Sequence, residues 1–159
     1  MTLNRLWQMS YDSKLIDVIR NSHDAIPIIQ AFHLIGITLL LGAMIILNFR
    51  MLGLGFGQIQ MAVLAKQVWS WGTAGLLMAI AAGFVVFIAD PARYAANYSF
   101  VTKMSLLLAA IVYQYTFYRK AVRAEAAATE PRHLRVVPLL SLLLWFGVAW
   151  AGRGIAFLG

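Results

Sequence analysis

The 159-residue chain contains no cysteine and few charged residues. The missing thiols exclude disulfide bonds, thiolate metal sites and iron–sulfur clusters. Charged residues make up 12% of the chain, with 6 Asp and Glu against 13 Lys and Arg. The net charge of +7 could suggest a nucleic-acid partner, but the cations stand in loops beside apolar runs and form no dense basic stretch. We therefore predict no nucleic-acid partner, because loop cations of this kind orient a membrane protein.

The chain is rich in hydrophobic residues and in long apolar segments. Hydrophobic residues make up 62% of it, and the mean hydropathy is +0.76. A helix needs about 20 apolar residues to cross a bilayer. The sequence therefore predicts an all-α integral membrane four-helix bundle, a single membrane domain over 1–159 in contact with lipid. The four predicted spans are about 26–47, 68–89, 99–118 and 136–158.

The first 25 residues mix apolar and charged positions, and they carry Trp7 and Tyr11. Aromatic side chains of this kind favour the headgroup region of a membrane, so residues 1–25 predict a short interfacial helix. The segment has no apolar core of the signal-peptide type, so we expect no cleavage there.

Local signals set the ends of the spans and one packing face. Asp90-Pro91 closes the second span, because the residue before a proline resists helix. Asn97 or Ser99 can cap the third span at its start. Small residues recur at four-residue spacing in the second span, which predicts close approach to a neighbouring helix of the same chain. They are Gly75, Ala79 and Gly83.

Loop charges predict the orientation. Four spans put both termini on one side of the membrane, together with the loop after the second span. Outside the spans, 7 Lys and Arg fall in the other two loops and 4 fall on the side of the termini. Because cytoplasmic loops are enriched in Lys and Arg, we expect a multi-pass protein of the bacterial inner membrane with periplasmic termini.

Three ionisable residues lie inside the spans, all toward the periplasmic side: His33, Lys103 and Arg153. Such residues cost about 2.5–3.5 kcal/mol to insert and usually face the bundle interior with a partner. Lys103 and Arg153 can also extend to the headgroups, since their stems are long. His33 is too short for that. It is either a metal or haem ligand, or a neutral histidine bonded to a carbonyl or to Gln30.

A haem would suit this group of residues. Imidazole is the usual axial ligand of haem iron, which makes His33 the candidate metal ligand, and cations suit the propionates. Trp145 shares a face of the fourth span with Arg153 and would form a wall beside a flat cofactor. His23 lies in the N-terminal segment, and His133 lies at the inner end of the fourth span, on the far side from His33. A second axial ligand would therefore be Lys103, a methionine or none.

The segment HLIGITLLLGAMIILNFRMLG, with Trp7 upstream, resembles a group of uncharacterised small bacterial membrane proteins. The later segments WGTAGLLMAIAAGF, FVTKMSLLLAA and WFGVAWAGRGIAF resemble further spans of that group. More distantly, the chain is similar to HemJ-type protoporphyrinogen oxidases and CopD-type copper-resistance proteins. The shared features are a histidine in span one, an arginine about 17 residues later and a lysine opening span three.

The HemJ-type resemblance implies a b-type haem. His33 would be its ligand, Lys103 a second ligand or a catalytic lysine, and Arg50 a structural or propionate-facing cation. The histidine-rich remainder of that family and its proline-arginine context after span one are missing here. The resemblance therefore implies haem binding rather than protoporphyrinogen oxidation.

These observations favour a small membrane protein that binds haem b for electron transfer or redox chemistry at the outer face. The alternative is a cofactor-free structural or accessory subunit, with other membrane subunits or further copies of itself as partners. A small transporter or copper handler is least supported, because the spans hold no acidic residue.

Overall fold

The computed structural model describes residues 21, 22, 24–91, 94, 97–127 and 135–158. Within these residues the chain forms helices and no strand. The elements in chain order are α1 (Ala25–Leu52), α2 (Met61–Ala89), α3 (Tyr98–Tyr113), a π-helical segment (Gln114–Tyr118), α4 (Arg119–Ala127) and α5 (Val136–Leu158). The predicted interfacial helix over 1–25 lies almost wholly outside the described residues.

Four of the described helices are long and apolar enough to cross a membrane. Helix α3, the π segment and α4 run without a break and count as one of them, from Tyr98 to Ala127. The prediction of an all-α membrane four-helix bundle is therefore confirmed.

The helices form two tightly packed pairs, α1 with α2 and α3 with α5. Helix α1 also packs on α5, and α4 packs on α2. Ring contacts join the two pairs: Phe87 of α2 stacks on Phe100 of α3 with centroids 5.2 Å apart. We call the end of the bundle that holds the start of α1 the His33 end, and the opposite end the Arg50 end.

The closest contact in the bundle is between the backbones of α1 and α2. A Cβ atom placed on Gly36 would lie 2.7 Å from both the Gly75 carbonyl oxygen and the Ala79 amide nitrogen. A Cβ on Gly75 would lie 2.7 Å from the Gly36 carbonyl oxygen. Only residues without a side chain permit this approach. The predicted packing of the small-residue face against a neighbouring helix of the same chain is confirmed.

The predicted signals for two helix ends are confirmed. Helix α2 ends at Ala89, immediately before Asp90-Pro91. Asn97 caps α3, since its side-chain oxygen accepts from the Ser99 amide at 2.8 Å and from the Phe100 amide at 3.3 Å. These bonds satisfy two of the amide groups that a helix start leaves unpaired.

Other helix ends extend beyond the predicted spans. Helix α1 continues to Leu52 and stops at Gly53, whose φ of 73° is the left-handed conformation that ends many helices. Helix α2 begins at Met61, and α4 carries the third span to Ala127. These extensions are less apolar than the spans. Their alanines favour helix, and Met61, Leu64, Ala121 and Val122 become buried there.

The π segment adjusts which side of the third span faces inward. Buried residues recur every four positions there, at Ala110, Gln114, Tyr118 and Val122. In an α-helix each such step rotates by about 40°, so three steps would turn Val122 about 120° away from Ala110. The wider π turn reduces that rotation, and the buried side chains stay closer to one face.

Candidate functional site

His33 of α1 contacts the backbone of α2 directly. Its Nδ1 atom lies 2.7 Å from the Ala79 carbonyl oxygen. Because a carbonyl oxygen only accepts, Nδ1 must carry the proton and donate it. In the neutral ring, Nε2 then holds a lone pair and is the atom free to bind a metal. The side chain is half-buried, between the core and the periphery of the bundle.

The small-residue face of α2 builds the surroundings of His33. Gly75 lets α2 approach α1 closely at Gly36, about one turn after His33. Ala79 supplies the carbonyl group that orients the His33 ring. A Cβ on Gly83 would lie 3.1 Å from Cε1 and 3.3 Å from Nδ1 of His33. The glycine thus makes room for the imidazole. The sequence pattern predicted packing for this face, and its role in positioning His33 was missed.

Lys103 of α3 lies against α5 next to the position of Arg153. A Cβ on Gly152 would lie 3.5 Å from Cε and 3.6 Å from Nζ of Lys103, so the lysine stem lies against α5. Lys103 is half-buried, whereas the adjacent Arg153 is exposed. Phe100, which precedes Lys103 by three residues, stacks on Phe87 of α2, which follows Gly83 by four residues, so this part of α3 lies at the His33 end. Three of the predicted site residues therefore occupy one end of the bundle.

The structure places the other two predicted site residues elsewhere. Trp145 is 3% exposed and lies in the middle of the core with Leu40 and Ala43, below the level of His33. Arg50 lies 17 residues after His33, or about 25 Å along the helix. Its Nε donates to the Ile59 carbonyl at 3.1 Å and so closes the loop after α1. Neither side chain borders His33.

A second group of polar side chains, which we call the inner polar cluster, lies nearer the Arg50 end, and of its members only Trp145 had been singled out from the sequence. Hydrogen bonds join Asn48, Ser141, Gln114 and Trp145, and Tyr118 follows Gln114 by one helical turn; each of the five is at most 3% exposed. Each is uncharged and inside a predicted span, apart from Asn48, which directly follows the first span. The sequence marks such residues only as uncharged polar positions within an apolar run. It does not show whether their side chains face the bundle interior or the lipid.

The described residues contain no group of three or more His, Cys, Asp and Glu that could hold a metal ion. In this part of the chain, side chains of these four types alone do not form a site for a free metal ion. A haem needs less from the protein, because its four pyrrole nitrogens already surround the iron. One imidazole is a sufficient axial ligand for it.

Residues 16–158 match the model of a family of unknown function, DUF6644. The match covers nearly the whole chain, so the chain belongs to this family. No curated protein matches it, and no solved structure does. The comparisons thus bear out the predicted resemblance to an uncharacterised family and return neither a HemJ-type nor a CopD-type protein.

Proposed function

We propose that this member of the DUF6644 family binds a b-type haem at the His33 end of its membrane bundle and uses it for electron transfer or redox chemistry. The observation that carries the proposal is the hydrogen bond from His33 Nδ1 to the Ala79 carbonyl oxygen. Metal-binding histidines almost always donate their second ring nitrogen to a carbonyl, a carboxylate or water, and this fixes the direction of the coordinating atom.

The position of His33 limits the kind of metal centre. An imidazole in an apolar bundle, outside any group of three or more His, Cys, Asp and Glu in the described chain, suits a cofactor that brings most of its own ligands. This favours haem over a free copper ion. Haem supplies one-electron chemistry when bound, and the protein supplies the axial ligand and the surrounding charge.

The two cations at this end would serve the propionates. The side chain of Lys103, which belongs to α3, lies against Gly152 of α5. Arg153 follows Gly152 in the chain and has an exposed side chain. A partly buried cation beside an exposed one suits a carboxylate that enters from the membrane surface. Lys103 is also the side chain that could donate a second ligand, through its Nζ atom.

The charge distribution supports a location at the periplasmic face of a bacterial inner membrane. The described cations at the Arg50 end are Arg50, Lys66, Arg119, Lys120, Arg123 and Arg135, against one described acidic residue, Glu125. By the positive-inside rule that end faces the cytoplasm. The His33 end then faces the periplasm.

The alternative is a cofactor-free structural or accessory subunit of a larger membrane complex. The same hydrogen bond favours it, since a neutral histidine bonded to Ala79 is already partly satisfied without iron. From the HemJ-type resemblance our proposal takes haem binding only, and not protoporphyrinogen oxidation. Copper handling has less support, because the described residues hold no group of three or more His, Cys, Asp and Glu.

The test is an absorption spectrum of protein purified from cells supplied with a haem precursor. Wild-type protein should show a Soret band, and His33→Ala should abolish it because the axial ligand is lost. The same substitution at His23, which lies outside the described residues, is the matched control and should leave the band. Lys103→Ala should shift the band if Nζ ligates, and should only weaken haem retention if the lysine acts by charge.

The absence of a Soret band in wild-type protein would overturn the haem proposal. Retention of the band in His33→Ala would show that another side chain binds the iron. In the first case the accessory-subunit function becomes the better one. Cross-linking in native membranes would then be expected to join the protein to another subunit.

A further inference from the structure

Three polar atoms of the inner polar cluster have no hydrogen-bond partner among the described residues. They are Asn48 Oδ1, Gln114 Nε2 and the hydroxyl oxygen of Tyr118. Asn48 and Tyr118 are 0% exposed and Gln114 is 2% exposed. Leaving a buried polar group unpaired is costly, and it is most costly in a membrane, where no bulk water reaches it. Such atoms call for a partner.

The neighbours of the cluster fix which atoms are left over. Asn48 Nδ2 donates to the Met44 carbonyl oxygen at 2.7 Å, so Oδ1 cannot take its place. The indole nitrogen of Trp145 only donates, and it lies 3.4 Å from Gln114 Oε1. The amide of Gln114 must therefore keep its oxygen toward Trp145. What remains is one acceptor on Asn48 and one donor on Gln114.

Two of the leftover atoms belong to side chains that are joined through Ser141, and the third lies one helical turn away along the same span. Ser141 accepts from Asn48 Nδ2 at 3.3 Å and donates to Gln114 Oε1 at 3.4 Å, which brings the two amides close together. Tyr118 lies four residues after Gln114, at the other end of the π segment. π segments within α-helices are frequently found at functional sites. Here the segment carries both Gln114 and Tyr118.

We infer that the inner polar cluster is a binding site for water held inside the membrane bundle. The guest must accept from Gln114 and donate to Asn48, while the Tyr118 hydroxyl can do either. A cation cannot satisfy the Gln114 donor, and an anion cannot satisfy the Asn48 acceptor. A neutral guest with both capacities remains, and water is the smallest molecule that has them. A buried water typically makes about three hydrogen bonds, which matches the three free atoms.

This site is independent of the proposed haem. Asn48 lies 15 residues after His33, or about 22 Å farther along α1. The proposed water therefore lies in the half of the bundle nearer the Arg50 end, whereas His33, Lys103 and Arg153 lie at the opposite end. Failure of the haem test would leave the water site untouched, and the reverse also holds.

X-ray hydroxyl-radical footprinting tests the inference, because radiolysis of a bound water labels the reactive side chains next to it, and Trp145 bonds to Gln114, one of the proposed partners of the water. Tyr118 and Trp145 are 0% and 3% exposed, yet both should be labelled several-fold faster than Met44. Met44 is a reactive side chain that is also 3% exposed; its terminal methyl group packs against Gly72, and it is its backbone carbonyl, not its side chain, that bonds to Asn48. Performing the exposure in ¹⁸O-labelled water should place the heavy oxygen on Tyr118 and Trp145.

Two matched substitutions make the test specific. Tyr118→Phe removes one of the three partners of the water and should reduce the labelling of Trp145 several-fold. Tyr113→Phe removes a hydroxyl from the same span, but one that already donates to the Val137 carbonyl at 3.0 Å. It should leave Trp145 labelling unchanged. Labelling of Tyr118 and Trp145 no faster than Met44 would overturn the inference, as would equal Trp145 labelling in both variants.

Discussion

The contact between Gly36 and α2 makes a quantitative prediction about stability. In Gly36→Ala, the new methyl group would lie 2.7 Å from two backbone atoms of α2, and backbone atoms cannot rotate away. Ordinary contact begins at 3.4 Å, so the two helices must separate by about 0.7 Å at the crossing. A gap of that size forfeits about a quarter to a half of the attraction between the facing atoms.

We expect Gly36→Ala to lower the free energy of unfolding by about 1–3 kcal/mol, the usual cost of overpacking. Alanine also favours helix over glycine by about 0.5–1 kcal/mol, which partly offsets that loss. Gly42→Ala isolates this second effect. Gly42 is in the same helix, and a Cβ there would meet nothing within 4 Å. The difference between the two variants therefore measures the packing cost alone.

The measurement is reversible unfolding in dodecyl maltoside micelles titrated with sodium dodecyl sulfate, followed by far-ultraviolet circular dichroism. Gly36→Ala should unfold at a lower mole fraction of the denaturing detergent than wild type, and Gly42→Ala at an equal or higher one. Equal midpoints for the two variants would refute the reasoning, because they would mean that α1 and α2 do not meet at Gly36. The 0.7 Å separation would also stretch the 2.7 Å bond between His33 and Ala79 to about 3.4 Å.

Two further predictions concern the same helix pair and the topology. Ala79→Leu should lower the free energy of unfolding by at least about 1 kcal/mol in the same assay, whereas Ala74→Leu, on the exposed side of α2, should change it little. Equal effects of the two leucines would show that the small-residue face does not pack inside the chain. A cysteine at residue 127 should react with an impermeant thiol reagent from the opposite side of the membrane to a cysteine at the N-terminus. Reaction of both from one side would rule out the four-span topology.

The four spans could be predicted from the sequence because hydropathy sums over a whole window and tolerates errors at single positions. Local chemistry also marked two helix ends, through the Asp90-Pro91 step and the Asn97 cap. The extensions of α1, α2 and α4 were missed because they are less apolar than the spans. Their helical form depends on burial of Met61 and Val122 against other helices.

The sites were harder to predict because α1 and α2 are apolar on every side. Such a helix gives no sign of which face turns inward. His33 was recognised as an unusual residue, but its bond to Ala79 depends on how far α2 is shifted along α1. The inner polar cluster unites Asn48, Gln114 and Ser141 from three helices, and no spacing in the sequence links them. The π segment likewise carries no sequence signal, since it results from packing.

The π segment also determines where this chain can change its length. Deleting one residue from an ordinary transmembrane helix rotates everything beyond the deletion by about 100°, and inward side chains then face lipid. Deleting an exposed residue of the segment, such as Thr116, would instead let the wide turn relax into a regular one. Val122 would then stand 11 residues after Ala110, a rotation of only about 20°. In an alignment of the family, we expect single-residue gaps in the third span to fall between 114 and 118.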